Sequence, residues 1–412
     1  MAKKSTTSTS SGSIFDIIQS VDKGVEIIEE SAGAQINDYI STGSYILNAC
    51  ITGSLFKGIP CGRVVTLAGN PGAGKSFMAL SVCREAQKAG YIPIYLDSEG
   101  AQDIQTVSRL GVDTKKFMIK QVNTITEVSS FILNLCQALD NVNEKDRDKV
   151  IIVLDSLGNL TSTKEAEDIK ELTGKRDMTK QQEIKALFRV CATPLAKLHI
   201  PFIVVSHIYQ TQDLFSKQVV SGGSGIGFSS SVTLMLSAAK MDGVDKENDK
   251  VASSGKSELT KTGVIVTATP QKSRFTIPQK VRFYIPFFKK PNPYIGIDQY
   301  MTWENSGIIR GKCYNQFEYH KLKPADQEIC LPFEYNGETM YAWPKDSAKT
   351  IVVAHLGAEF PITELFTPKV MTEEWLRNFD ENVIRPAFEL PDQSKFDDNN
   401  EEYTEELIDV NE

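Results

Sequence analysis

No run of about 18 consecutive apolar residues occurs in this 412-residue chain, so the sequence offers no membrane-spanning helix. No apolar stretch follows the basic and polar residues 1–13, so no secretory leader is read. The expected location is the cytoplasm of whatever cell makes the protein, with no membrane partner. Histidine is scarce, with four in all, and none pairs with a cysteine at zinc spacing. None of the seven cysteines forms a C-x-x-C pair. The expectation is reduced thiols packing as small hydrophobes, not a metal finger or a redox couple. Internal repeats are absent as well, which removes solenoids and propellers.

Basic excess is also lacking, since the formal net charge is −8. The location of that charge decides what it means. Residues 391–412 hold nine acidic side chains against the single Lys395, and this segment alone accounts for the imbalance. The remaining body is formally neutral, so the acidic total does not argue against a nucleic-acid partner. The tail itself is dense in charge and poor in apolar residues, which is the composition of a disordered segment.

What is present is an alternation of short apolar runs and helical periodicities between residues 63 and 275. Runs at 63–68, 91–97, 150–155, 202–206, 232–238 and 264–269 read as strands. Val128, Ile132, Leu135 and Leu139, then Ile184, Leu187, Phe188, Cys191 and Leu195, recur at the 3.6 period of helices, the second expected to bend near Pro194. Apolar strands alternating with helices imply an α/β fold with a mostly parallel, buried central sheet. The expected organisation is an N-terminal segment (1–40), an α/β core (41–275), a smaller C-terminal domain (276–390) and the acidic tail (391–412). Within the first segment, Ile14, Ile17, Ile18 and Val21 form an amphipathic stretch. It either packs on its own domain or docks on a neighbouring subunit. A further helix is expected at 373–388.

Gly69, Asn70, Pro71, Gly72, Ala73, Gly74, Lys75 and Ser76 match G-x-x-x-x-G-K-[ST] between an expected strand and an expected helix. Glycines let the backbone wrap a phosphate with its N–H groups pointing inward, and the helix N-terminus adds positive potential. In that arrangement Lys75 reaches the β- and γ-phosphates and Ser76 ligates Mg²⁺. Asp155, ending an apolar strand, is the second candidate for the metal shell. Glu99 follows the strand at 91–97 and is placed to polarise an attacking water, or else is a solvated loop acid. ATP and Mg²⁺ are the implied cofactors.

Several strings together resemble the RecA family. They are Ser41-Thr42-Gly43-Ser44, the stretch 58–63, Asp97-Ser98-Glu99, Leu110-Gly111-Val112-Asp113 and Asp155-Ser156-Leu157. The runs DSLGNL from Asp155, DMTK from Asp177, ALFR from Ala186 and YQTQDLFSK from Tyr209 resemble the phage UvsX-like branch. The resemblance implies a RecA-like P-loop NTPase core and a DNA-dependent ATPase. It further implies a recombinase that forms a helical filament on single-stranded DNA and pairs it with a duplex, with a single-strand binding protein and a mediator as accessory partners. It assigns hydrolysis to Glu99, an adenine-side contact to Asp103 and γ-phosphate sensing to His207, where the RecA family's glutamine is replaced. Lys272 and Arg274 become cations offered to a neighbour's ATP. Lys175 and Arg176 fall in a first DNA-binding loop. Phe215, Lys217, Gly222 and Gly223 fall in a second. A RecA-fold hexameric helicase shares most of these parts, and a non-hydrolysing recombination mediator shares some. The run at 209–217 argues against the first, and the intact P-loop with Glu99 against the second.

Overall fold

A computed structural model describes residues 14–22, 24–143, 149–166, 179–210, 218–221, 224–240, 263–287 and 290–390. The chain builds an α/β core around one large sheet, followed by a second, smaller sheet. In chain order the strands are β1 (Tyr39–Ile40), β2 (Ile59–Pro60), β3 (Val64–Gly69), β4 (Tyr91–Asp97), β5 (Met118–Gln121) and β6 (Lys149–Asp155). They continue with β7 (Phe202–Gln210), β8 (Gln218–Val220), β9 (Val232–Lys240), β10 (Gly263–Ser273) and β11 (Val281–Pro286). The large sheet runs in the order β11-β10-β9-β3-β7-β6-β4-β5, and β8 hangs from β7. Pairings from β9 through β5 are parallel, while β9–β10, β10–β11 and β7–β8 are antiparallel.

The parallel strands are apolar on both faces because helices cover both. Ile151 and Val153, like Ile203 and Val205, point to one cluster. There they meet α2 (Tyr45–Thr52) and α3 (Lys75–Lys88) through Ile46, Leu47, Met78, Val82 and Cys83. Their neighbours Val150, Ile152, Leu154, Phe202 and Val204 point to the other. That side is covered by α5 (Ile125–Asp140) and α6 (Lys180–Lys197) through Val128, Ile132, Ile184, Leu187 and Phe188. Two short helices, α4 (Ile104–Arg109) and α7 (Ser224–Ser229), complete the core. A capping box starts α5: Thr124 accepts from the Glu127 N–H while Glu127 reaches back to the Thr124 N–H. Six of the seven cysteines are buried, and burial pushes thiols such as Cys50 and Cys191 up to about 12.

Four findings differ from, or add to, the sequence reading. Strands β5, β8 and β11 were not read, because each is short and polar or broken by proline. Strand β7 continues past residue 206 to Gln210, since its far half pairs with β8 rather than with the large sheet. Pro194 lies inside α6, whose last turns continue past it to Lys197. The expected helix at 373–388 is interrupted: helical turns at Glu373–Phe379 and Arg385–Phe388 flank a wider π-type turn, Asp380–Ile384. Pro386 lacks the N–H that would close a normal turn there.

Of the two readings of the N-terminal stretch, packing on its own chain is not what the structure has. Helix α1 (Ile14–Val21) leaves Ile14, Ile17, Ile18 and Val21 between 43% and 84% exposed. No helix among the described residues is long and apolar enough to cross a membrane.

Beyond β11 comes an antiparallel five-stranded sheet: β12 (Ile308–Asn315), β13 (Leu331–Tyr335), β14 (Glu338–Pro344), β15 (Thr350–Val353) and β16 (Ala358–Pro361), ordered β13-β14-β12-β15-β16. It joins the first cluster through Ile351, Val353, Trp375, Phe379 and Phe388. A polar clasp reinforces this junction. Asp380 is 1% exposed and accepts from Ser54 Oγ at 2.8 Å, the Leu55 N–H at 2.6 Å and Arg385 Nε at 3.1 Å. Asp380→Ala strands a buried N–H and hydroxyl, and should lower stability by about 2–3 kcal/mol in urea unfolding followed by circular dichroism. A loss below about 0.5 kcal/mol would show that the clasp is idle.

Candidate nucleotide site

The sheet order places the carboxyl ends of β3, β7, β6 and β4 side by side, the edge where parallel sheets bind ligands. Each end delivers one part. After β3 the chain turns through residues 69–76 into α3. Gly72 and Gly74 hold φ of +76° and +84°, where a side chain is strained. A Cβ on Gly74 would also stand 2.5 Å from Ile285 Cδ1, so a side chain there would require that buried isoleucine to shift. Gly74 caps α3 without a side-chain bond, leaving the helix N–H groups directed into the loop. The Ala73 N–H donates to the Asn70 carbonyl at 3.2 Å and closes the turn. Lys75 is 6% exposed, and its Nζ donates to the Gly69 and Asn70 carbonyls at 3.0 and 2.9 Å. Burial lowers its pKa, opposed by the charges of Asp155 and Glu99.

Strand β6 ends in Asp155, 3% exposed, which accepts from the Tyr95 hydroxyl and is hydrogen-bonded to Ser76. Burial raises its pKa; Tyr95 and Ser76 oppose the rise, and the charges of Glu99 and Asp97 add to it. Beyond β4, Glu99 turns back across the sheet. Its Oε1 accepts from Ser156 Oγ at 2.7 Å and lies 3.2 Å from His207 Nε2 on β7. The segment bearing Glu99 is stitched to β6: Ser98 Oγ donates to the Ser156 carbonyl and accepts from the Ser156 N–H. Lys75, Ser76, Glu99, Asp155 and His207 all line one cleft of about 1320 Å³.

The far wall of the cleft was missed by the sequence reading. It is formed by Ile285, Phe287 and Lys290, which reading alone assigned to a separate C-terminal domain. Tyr95, Asp97 and Ser156 were also missed as parts of the site. The available signal was the string Asp97-Ser98-Glu99, in which an aspartate two residues ahead of the glutamate is the pattern of a side chain that caps a turn.

Asp103 is the N-cap of the short helix beside the cleft. Its carboxylate caps α4, accepting from the Gln105 and Thr106 N–H groups at 2.8 and 2.9 Å and from Thr106 Oγ1 at 2.6 Å. The cleft wall beside it is built by Gln102, Thr106 and Arg109. Lys272 and Arg274 do not line the chain's own cleft. Lys272 Nζ donates to the Gly227 carbonyl at 2.7 Å, and burial first and Arg274 second lower its pKa. Arg274 also acts on Arg63, so three cations gather on that flank. Lys175, Arg176, Phe215, Lys217, Gly222, Gly223 and the acidic tail lie outside the described residues.

A Gly-rich turn between strand and helix, with a buried lysine and a strand-end aspartate, defines a P-loop nucleotide-binding protein of the α/β class. Its family follows from sequence comparison. The RecA N-terminal domain matches residues 13–276, and the chain belongs to the RecA family. The recombination and repair protein of Enterobacteria phage T4 is 27% identical over 265 residues, covering 63% of this chain and 62% of that protein. Protein RecA of Sulfurimonas denitrificans is 30% identical over 200 residues, covering 47% and 54%. Protein RecA of Rhodopirellula baltica is 34% identical over 130 residues, covering 32% of each. The chain thus spans less than two thirds of the length of these relatives.

The raised pKa of Asp155 carries a consequence for stability. A carboxyl that binds its proton more tightly when folded loses stability as pH rises from the unfolded value through the folded one. Above that window its buried charge is a standing cost to the fold. Asp155→Asn should therefore raise the thermal midpoint at neutral pH by a few degrees, with the gain vanishing in acid. A midpoint lowered at neutral pH would contradict this.

Proposed function

We propose that this chain is an ATP-dependent recombinase, which orders into a helical filament on single-stranded DNA and exchanges that strand with a homologous duplex. The observation that carries the reading is the contact of Glu99 with His207. Glu99 follows β4 and lines the same cleft as the phosphate loop. His207 stands on the strand that leaves the sheet to form the β7–β8 hairpin, whose connection includes Phe215 and Lys217. Whatever moves Glu99 or His207 therefore acts on the base of a segment assigned to DNA. Ser221 follows the hairpin and stays tied to β7, its N–H donating to the His207 carbonyl at 2.7 Å.

The residues at the cleft divide the chemistry in this reading. The loop N–H groups and Lys75 hold the phosphates, and Glu99 orients a water and takes its proton. The Ser76 hydroxyl and Asp155 carboxylate are two hard oxygens, a donor set that suits Mg²⁺ completed by water and phosphate. When bound, that ion neutralises phosphate charge. His207 reads the γ-phosphate by exchanging its contact with Glu99 for one with substrate. Lys272 and Arg274, outside their own cleft, face a neighbour's ATP and neutralise its γ-phosphate as an arginine finger does. The site is then complete only between copies, and the exposed apolar stripe of α1 is the arm that docks on the next one. Lys175, Arg176, Gly222 and Gly223 contact DNA backbone. Such contacts give affinity without base specificity, and pairing between the DNAs supplies homology. Single- and double-stranded DNA are the substrates, and a single-strand binding protein and a mediator are the accessory partners.

The test is DNA-stimulated ATP hydrolysis and strand exchange. Lys75→Ala and Arg274→Ala should each lose at least about 100-fold in turnover. Mixing the two should restore part of it, because a mixed interface pairs an intact loop with an intact cation. No restoration at any ratio would contradict a shared site, and hydrolysis indifferent to DNA would contradict the reading itself.

A further inference from the structure

The fully buried carboxylate of Asp97 has no role in the reading above, yet it is one of the most heavily hydrogen-bonded groups near the cleft. It sits at the end of β4, directly paired in register with Asp155, and is 1% exposed. Burying a carboxylate costs several kcal/mol unless donors surround it. Here four do. Oδ1 accepts from the N–H groups of Glu99 and Gly100, both at 2.9 Å. Oδ2 accepts from Gln121 Nε2 at 3.2 Å and from the Gln102 N–H at 3.4 Å.

We propose that Asp97 is the positioning residue for Glu99. The inference rests on the hydrolytic reading of Glu99 given above. Accepting from the residues two and three further on, Oδ1 forces the chain to reverse as it leaves the strand. Gly100, at φ +64°, completes the reversal. Glu99 lies inside this turn, and the turn aims its side chain back over the sheet at Ser156 and His207. The Gln121 contact adds a brace from the edge strand β5. Asp97 does not line the cleft, and both its oxygens are engaged, so it serves neither as a metal ligand nor as a base. The two strand-end aspartates thus divide the work: Asp155 faces the ligand, and Asp97 holds the loop that brings the glutamate.

Displacing a catalytic group by about 1 Å costs on the order of 100-fold in rate. The experiment measures DNA-stimulated ATP turnover and nucleotide affinity in the full-length chain, for Asp97→Ala, Asp97→Asn, Glu99→Gln and the double variant Asp97→Ala with Glu99→Gln. Asp97→Ala should lower kcat by about 100-fold and leave KM and the affinity for a fluorescent ATP analogue within about threefold. Asp97→Asn keeps an oxygen for the Glu99 and Gly100 N–H groups and should recover to within about tenfold of the parent. Once Glu99 is gone, the alanine should cost nothing further, so the double variant should match Glu99→Gln. Additive losses in the double variant would overturn the proposal, as would full activity of Asp97→Ala beside an inactive Glu99→Gln. Should the alanine variant fail to fold, a loss in Asp97→Asn as deep as that of Glu99→Gln, with normal melting, would overturn it equally. An active Glu99→Gln would instead fault the hydrolytic reading and not the positioning.

Discussion

One hydrogen-bonded carboxylate joins the two halves of this molecule's chemistry. Glu99 Oε1 is met by a serine from β6 and a histidine from β7, so three strand ends converge on one oxygen. The convergence requires that β4, β6 and β7 be neighbours in register, which the parallel sheet provides. It also requires that the sheet not flex. Apolar side chains packed on both faces supply that rigidity, since close-packed interiors transmit displacement rather than absorb it. The Glu99–His207 contact is partly exposed and weak on its own.

The site around it is held in tension. Asp155 is buried enough to resist its charge, and Lys75 is buried enough to resist its own. Lys75 satisfies its charge on two carbonyls of its own loop, and Asp155 on a tyrosine hydroxyl. In the proposed reading, phosphate would meet the Lys75 charge and a cation the Asp155 charge.

Much of this was legible in the residues because the signals were local. The P-loop is eight contiguous residues. Asp155 ends an unbroken apolar run, and the strand at 91–97 is read from its own composition. The unread parts depend on distance along the chain. Strand β11 reads as the start of another domain because its prolines and aromatics change the texture, yet it adds an edge to the large sheet and a wall to the cleft. Strand β5 is four exposed residues that become a strand only by pairing with β4. Asp103 was assigned by position in the family, and what went unread is that its carboxylate caps α4 through the Gln105 and Thr106 N–H groups. Ser156 was visible as a letter beside Asp155. Its bond to a glutamate 57 residues earlier was not.

The most direct test of the coupling is the affinity for fluorescent single-stranded DNA, measured with a slowly hydrolysed ATP analogue and again with ADP, in the parent chain and in His207→Ala. The account predicts tighter binding with the analogue in the parent and the same weak binding with either nucleotide in the variant. An undiminished preference for the triphosphate in His207→Ala would contradict it.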